Sequence, residues 1–351
     1  MSDLKVATWN LYQFAEPGTY WYERQETNDY EPDQWADKQA WMADMIAQLD
    51  ADIIGFQEVF SVAAFKTFMT AQGYPHVAVV DDAAVDPDDP AVFVGPVTGI
   101  ASRHPFAAPP APLAYPQDMR DGTQLQDDFD FRRAIIRAEV ITPQLGTVTV
   151  YVCHFKSQGA RVDGDEIAAL PDWRARFREH LRVRAIKDAD QMARRNGEAA
   201  GVYLAAMAEL DEDINKAIIV LGDLNEDPAS PTLRLITQSD RIVNIGRRQR
   251  KGIEDPDDRA WNFRWRLFDA YGLRSTQDGA ARPPTHGASF WHPASTLDYV
   301  LVSNALNQNN PTGIADVTGF DVFSDHFEDD DKLRTTDHAP VLVTLTPRAM
   351  T

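Results

Sequence analysis

The sequence predicts an α/β fold in which two packed sheets carry helices on their outer faces. Three observations lead there. Short apolar runs of strand length recur along the whole chain, with helical periodicities in some of the gaps between them. The runs between residues 132 and 155 are almost continuously apolar, as strands covered on both faces are. No composition break, Gly/Ser linker or internal repeat divides the 351 residues, so one domain over 1–351 is expected.

Residues 4–11 form the first strand, with Val6, Thr8 and Asn10 on one face and Ala7, Trp9 and Leu11 on the other. A polar, aromatic loop fills 12–32. Trp41, Met42, Met45, Ile46 and Leu49 then recur at helical spacing. Residues 51–60 return to a strand ending in Gln57-Glu58. Further strands are expected at 77–80 and 98–101, around an acidic loop, and 105–116 is a Pro-rich loop. A strand pair occupies 132–140 and 146–155. Trp173, Phe177, Leu181, Ala185 and Met192 mark a long helix, and a second helix covers about 202–210; both belong to a helical insert around 158–216. After an apolar strand at 218–221, a helix capped by Ser230 runs over 231–237. The last strands are 297–303 and 340–345.

Composition narrows the classes. No run of about 18 apolar residues exists, so no membrane span is expected. The start, Met1-Ser2-Asp3-Leu4-Lys5-Val6, has neither a basic nor an apolar leader region. That places the protein in the cytoplasm or, with a leader removed, outside the cell. The one cysteine, Cys153, excludes an internal disulfide and a cysteine zinc cage. Strand alternation puts it on the face opposite His154, as a buried small hydrophobe. The net charge of −20 counts against tight non-specific nucleic-acid binding, although local patches and bound cations set the field at a nuclease site. Acid is concentrated in 81–89 and 325–331; these are solvated loops or an accessory calcium site.

Function is carried by polar clusters at the tips of apolar runs. In chain order they are Trp9-Asn10, Gln57-Glu58, His154-Phe155-Lys156-Ser157, Gly222-Asp223-Leu224-Asn225, Leu297-Asp298-Tyr299 and Thr336-Asp337-His338. Taken singly, Asn10 or the Gly222–Asn225 stretch reads as a turn, and His154 as a core histidine. Together they point to a metal-dependent hydrolase whose site is built at strand ends. Hydrolysing a phosphoester needs neutralised charge, a deprotonated water and a stabilised leaving oxygen. Oxygen ligands of this kind suit Mg2+ or Mn2+. Glu58, a glutamate ending an apolar strand, is the strongest metal-ligand candidate.

In order and strand context, these motifs resemble the endonuclease/exonuclease/phosphatase superfamily, the group that includes deoxyribonuclease I and the apurinic endonucleases. The stretches His154–Gly159 and Gly222–Pro228 are most similar to bacterial nuclease-type members. The resemblance covers nearly the whole chain. It implies a four-layered α/β sandwich, two mainly antiparallel sheets face to face with outer helices, and a site where one end of the sandwich opens. It further implies that Asn10 orients Glu58 or touches the metal, and that Asp337 serves the metal region while His338 faces the phosphate. Asp298 would fix the tautomer of His338, and this pair would activate water, with Asp223 as the rival base. Asp223 would otherwise hold the nucleophile or a second metal. Asn225 would donate to a phosphate oxygen, and His154 would bind phosphate or protonate the leaving oxygen. Lys156 would brace the site. Thr285-His286 and Trp291-His292 are further candidates for substrate contact. His154 stands where apurinic endonucleases carry a tyrosine, which argues against abasic-site repair.

Ser324-Asp325-His326 is a second match to the closing tripeptide. Thr336-Asp337-His338 is preferred because a clear strand follows it, and His326→Ala is expected to be nearly silent. For substrate contact, 174–195 carries eight Lys/Arg against three acids. Arg247, Arg248, Arg250 and Lys251 precede Trp261, Phe263, Trp265 and Phe268. Each segment reads as a nucleic-acid surface or as an ordinary charged face and core stripe. The first expectation is a monomeric nuclease acting on DNA or RNA. A phosphodiesterase or phosphatase for a small or lipid-linked phosphate is the alternative, and an inactive binding protein on the same scaffold comes third.

Overall fold

A computed structural model describes all residues except 1, 124, 126–127, 160–166, 240–257, 275–280, 290–292, 330 and 350–351. Its strands, in chain order, are β1 (Leu4–Phe14), β2 (Tyr20–Trp21), β3 (Ile53–Val59), β4 (His76–Ala78), β5 (Ala84–Val85), β6 (Val92–Gly95), β7 (Val97–Ser102) and β8 (Ala111–Pro112). They continue with β9 (Ile136–Thr142), β10 (Gly146–His154), β11 (Ile218–Asp223), β12 (Leu267–Asp269), β13 (Asp298–Ser303), β14 (Ala315–Val322) and β15 (Val341–Pro347).

Two six-stranded sheets result, ordered β14-β15-β1-β3-β7-β4 and β12-β13-β11-β10-β9-β8; β2, β6 and β5 make a small side ribbon. Each large sheet is antiparallel except for one central pair, β1/β3 in the first and β10/β11 in the second. Parallel neighbours need a long crossover. Helix α1 (Pro32–Leu49) supplies the first, and the 40-residue helix Trp173–Glu212 lies in the second.

Alternation along β1 explains the layering. Val6 points between the sheets and packs with Ile53, Val150, Val152, Leu221 and Val300. Ala7, Trp9 and Leu11 point outward onto Met42, Met45 and Leu49 of α1 and onto helix α2 (Val62–Ala71). On the other sheet, Tyr151, Cys153 and Val220 face Ala199, Val202 and Leu210 of the long helix. The order is therefore helix, sheet, sheet, helix. The sheets approach closely at Gly55, where a Cβ would sit 2.1 Å from Leu221 Cδ1. The buried thiol of Cys153 lies on the helix side, opposite His154, and burial pushes its pKa up.

The expected strands are present, with ends shifted by a few residues. Helix α1 begins earlier than its apolar stripe suggested, at Pro32, behind a capping box in which Gln34 accepts from the Glu31 N–H at 3.0 Å. The larger correction concerns the long helix. Two helices were expected, one marked by Trp173 to Met192 and one at about 202–210, but one continuous helix runs from Trp173 to Glu212. Gly197 and Gly201 lie there because Phe129 and Tyr115 press on the helix, leaving 2.7 Å to a Cβ at either position. Trp173, Phe177, Leu181 and Met192, whose spacing marks the helix, are exposed.

Glu209 fixes the base of this helix to the sheet. It accepts from Arg137 Nε at 2.7 Å, Lys216 Nζ at 2.6 Å, Thr149 Oγ1 at 3.0 Å and the Tyr151 hydroxyl. Burial opposes ionisation, but Arg137, Lys216 and Tyr151 hold the carboxyl down at about 2, below its usual 4.5. The stabilisation is thus full above pH 4.5 and disappears as pH falls towards 2. Discounted for solvent screening, Glu209→Gln should cost about 2 kcal/mol at pH 7, a melting shift of roughly 3 °C. Thermal melts of both proteins across pH should show the gap closing in acid; a gap constant with pH would refute the assignment.

Candidate active site

The site lies where neighbouring strand ends of both sheets meet. In the second sheet, His154 ends β10, Asp223 ends β11 and Asp298 begins β13. The registers pair His154 with Asp223 and Asp223 with Asp298, so the three stand in a row across three strands. Gly222 makes this possible. Its φ is +144°, and a Cβ there would lie 2.0 Å from the Cys153 carbonyl oxygen. The first sheet brings Asn10 on β1 and Glu58 on β3 to the same end. The segment before β15 brings Asp337 and His338.

Hydrogen bonds join most of these groups. Asn10 Nδ2 donates across the sheets to Asp223 Oδ2 at 3.1 Å. Asn225 donates to Asp223 from its backbone at 2.8 Å and from Nδ2 at 3.0 Å. His338 Nδ1 donates to Asp298 Oδ2 at 2.8 Å, and Thr285 Oγ1 donates to the same oxygen at 2.7 Å. This aims His338 Nε2 at Asp223 Oδ2, 3.9 Å away; His154 Nε2 stands 3.6 Å from that atom. The loop at Thr285–Gly287 is tied to the His338 segment by Ala339 N to Thr285 O at 2.7 Å and Gly287 N to Asp337 O at 2.9 Å.

Glu58, Asp337 and His286 form a second limb. Glu58 accepts from Gln13 N at 3.0 Å, next to the Tyr12 N–H that donates to Asn10. His286 Nε2 lies 3.7 Å from Asp337 Oδ2, and its ring meets that of His338 edge-on at 4.9 Å. Tyr12, Gln13, Glu58 and Asn225 all have φ between 48° and 61°. Left-handed backbone is costly for such residues and persists where surrounding structure enforces it, commonly at functional sites.

The electrostatics follow from crowded acids in a dry place. Burial first, then Asp298 and Glu58, push the Asp223 carboxyl up to about 7 against the pull of His338. Burial and Asp337 raise Glu58. Burial lowers His338, but Asp298, Asp223 and Asp337 overcome it and raise it well above the usual imidazole value. His154 is driven well below that value by burial and by Arg133, and so is neutral.

Two residues here escaped the sequence reading. Lys38 is buried, and desolvation lowers it to about 7 although Asp337 and Glu58 oppose the drop. Its Nζ donates to Tyr12 O at 3.1 Å and Thr335 O at 2.8 Å. Lys38 shares the apolar stripe of α1 with Trp35, Met42 and Met45, and a lysine on that face was the available signal. Arg133 donates to the Phe155 carbonyl at 3.0 Å. It had no sequence signal, because it belongs to no motif.

Other candidates fall elsewhere. Lys156 Nζ turns onto its own loop, at 2.9 Å from Ser157 Oγ, and burial lowers it to about 8. Trp261 and Phe263 are exposed, while Trp265 and Phe268 pack against the cores. Trp291-His292 and Arg247–Lys251 lie outside the described residues. Among the described residues, one set of three or more His, Cys, Asp or Glu side chains brings ligand atoms within 4.8 Å, namely His286, Asp337 and His338. Neither acidic stretch forms such a set there. Asp89 pairs with Arg24 at 2.6 Å and Asp331 with Arg334 at 3.0 Å.

The donors at the site fit a hard divalent cation. Asp337 Oδ1 is buried without a hydrogen-bond partner, and Glu58 and Asp337 crowd like charges that a cation would relieve. No helix among the described residues is long and apolar enough to cross a membrane.

Such a sandwich, with carboxylates and imidazoles gathered at one end, is the architecture of a class of phosphoester hydrolases. The sequence matches the Endonuclease/Exonuclease/phosphatase family over residues 7–326, and the chain belongs to that family. Its enzymes generally use divalent metals. The match stops at His326, whereas it is His338 that meets Asp298. No curated protein sequence matches the chain significantly. Similar solved structures include the human Nocturnin catalytic domain with bound sulfate, 15% identical, TM-score 0.58, covering 99% of this chain and 95% of that one. Others are a Bacteroides thetaiotaomicron mannosyl-6-phosphatase (17%, 0.53, 98% and 99%) and D. rerio TDP2 complexed with single-strand DNA product (13%, 0.51, 99% and 100%). At these identities they establish the fold alone.

His326, of the rejected tripeptide, lies in a short 3-10 turn, Asp325–Glu328. It is buried, packs at a tilt against Trp41 with ring centroids 4.9 Å apart, and donates from Nε2 to the His338 carbonyl at 3.1 Å. His326→Ala, expected to be nearly silent in activity, should still lower stability. Losing the ring and bond should cost about 2–3 kcal/mol. At a temperature where the variant is fully folded, its kcat should stay within about threefold of wild type, since His326 braces His338 without facing Asp223. A loss as large as that of His338→Ala would reverse the choice between the tripeptides.

Proposed function

We propose that this protein is a divalent-metal-dependent hydrolase of phosphodiester bonds, and that nucleic acid is its first substrate class. The observation that carries the reading is the row His154–Asp223–Asp298, closed by His338 and faced by Asn10 and Glu58 from the other sheet. Glu58 and Asp337, with Asn10 beside them, would hold Mg2+ or Mn2+, which when bound neutralises charge developing on phosphoryl oxygens.

The chain's own groups divide the remaining work. Neutral His154 would bind phosphate, and Asn225, whose Nδ2 donates to Asp223 and to the Phe155 carbonyl, would reach a phosphate oxygen only by exchanging one of these bonds. The sequence reading placed the base at His338, with Asp223 as rival. The hydrogen bond to Asp298 favours the rival, because it keeps the proton on His338 at neutral pH. Asp223, at about 7, is matched to take a proton from water there, and His338 supplies positive charge and a proton beside it. Activity should accordingly rise with pH through about 7 as Asp223 ionises. Thr285 positions Asp298, and His286 positions Asp337.

A phosphatase or phosphodiesterase for a small or lipid-linked phosphate is the second reading. The charge of −20 favours it, and a sugar-phosphate phosphatase shares the fold. Plasmid nicking with Mg2+, Mn2+ or EDTA, beside hydrolysis of bis-p-nitrophenyl phosphate, separates the readings. The first predicts turnover of both under metal. Turnover of the small ester alone would favour the second, and turnover of neither under any divalent metal would favour an inactive binding protein.

A further inference from the structure

The long helix leaves the body at the active site. Its foot is Glu209, bonded to Thr149 near the start of β10. Higher up, Arg195 donates to the carbonyls of Lys156 and Ser157, just past the end of β10, at 3.2 Å each, and pairs with buried Glu226 at 2.7 Å. Glu198 accepts from the N–H groups of Lys156 and Arg132 at 2.9 Å. From Glu209 to Arg195 the helix thus climbs the whole strand, towards the end that carries His154. Every buried residue of the helix lies at or beyond Arg195. The stretch from Trp173 to Arg194 therefore continues past the rim of the site as an arm about 33 Å long.

The arm differs in chemistry from the body. The segment 174–195 carries eight Lys/Arg against three acids in a chain of net charge −20. Apolar side chains stand out from it, with Trp173 70%, Phe177 61% and Leu181 50% exposed. It forms without a supporting core because Asp172 caps its first turn, accepting from Arg174 N and Ala175 N at 2.9 Å, and its composition favours helix. Pairs Arg182–Glu179 and Arg184–Asp188 add local support.

We propose that this arm is a docking surface for single-stranded nucleic acid, feeding the strand to the site at its root. The proposal rests on the phosphodiesterase reading above. A positive arm at the mouth of a phosphoester site on an otherwise acidic protein complements a polyanion. Exposed Trp173 and Phe177 offer ring faces to unpaired bases, which a duplex would hide. A membrane-lying helix needs its apolar residues gathered on one face. Here Arg184 and Asp188 share the sector of Trp173, Phe177 and Leu181, while Ile186 points the opposite way.

The test uses the full chain and two double variants, Trp173→Ala with Phe177→Ala and Arg174→Glu with Arg178→Glu. Affinity for labelled DNA and RNA oligonucleotides of about 20 nucleotides, longer than the ~4–16 that single-strand sites cover, is measured by anisotropy in EDTA at several salt concentrations. Hydrolysis of bis-p-nitrophenyl phosphate is measured in parallel with metal. The aromatic variant should bind roughly tenfold more weakly. The arginine variant should lose about 1.4 from the salt slope of log K. In both, KM for the oligonucleotide rises while kcat and small-ester turnover stay at wild-type values. Unchanged oligonucleotide affinity in both variants would overturn the proposal. So would wild-type binding to phosphatidylglycerol vesicles, lost in the variants, with no binding of oligonucleotide. If the wild type hydrolyses the small ester while the arm variants have no effect, the arm proposal alone has failed. If it hydrolyses no ester, the underlying reading has failed.

Discussion

His338→Ala should lower kcat/KM about a thousandfold, within the range that a positioned acid–base group contributes. The loss follows from geometry. Nδ1 is fixed on Asp298 and Nε2 stands 3.9 Å from Asp223, and among the described histidines His338 is the one bonded to Asp298. His154 is buried on the far side of the row and held neutral. A second effect separates this account from simple misfolding. His338 draws the Asp223 carboxyl down, so its removal should move the acid limb of the pH–rate profile above about 7. The variant must also leave Asp298 buried with only Thr285 and backbone around it. A broken buried pair costs about 3 kcal/mol, so the protein should fold with a lowered melting point. Turnover near wild type, or an acid limb that stays in place, would remove His338 from the chemistry.

Much of this site was readable because strand ends leave a plain trace. An apolar run that stops near Asn10, Glu58 or Asp223, or starts after Asp298, marks both the strand and the residue delivered at its tip. The two crossovers were readable for the same reason, since strand, helix, strand is a periodicity pattern. What the pattern lacked was pairing. Nothing in the sequence says that His154, Asp223 and Asp298 are cross-strand neighbours, because sheet order is fixed by contacts between distant segments. The two helices expected around 173–192 and 202–210 are one, and Gly197 and Gly201 within it are glycine because the Phe129 and Tyr115 rings need the room. Trp173 and Phe177 recur at helical spacing yet stand 70% and 61% exposed, because periodicity records helix phase without saying what covers it. The tripeptides at 324–326 and 336–338 have nearly the same composition; only the strand that follows the second distinguishes them, and the family match itself runs out at the first.

Glu58→Gln should abolish most activity while making the metal-free protein more stable. Glu58 sits at the end of an apolar strand with a single backbone donor, Gln13 N, and its carboxyl is raised by burial and by Asp337. A carboxylate whose folded pKa is raised opposes folding once pH exceeds its unfolded value, because the unfolded chain ionises it more easily. Glutamine keeps the shape and removes the charge. The metal-free variant should therefore melt a few degrees higher than the wild type at pH 7 and equally at low pH, where both are neutral. On the proposed role of Glu58, the same change would deprive a divalent cation of an oxygen ligand. Even groups that only support a ligand alter affinity ~10–100-fold, so Mn2+ affinity measured by calorimetry should fall by about 100-fold or more. Activity at moderate metal falls with it and recovers in part at high metal. The reciprocal sign is the sharp feature, since a purely structural glutamate would lose stability on substitution and leave Mn2+ binding alone. A variant that melts lower and binds Mn2+ as the wild type does would show that Glu58 holds the fold and not the cation.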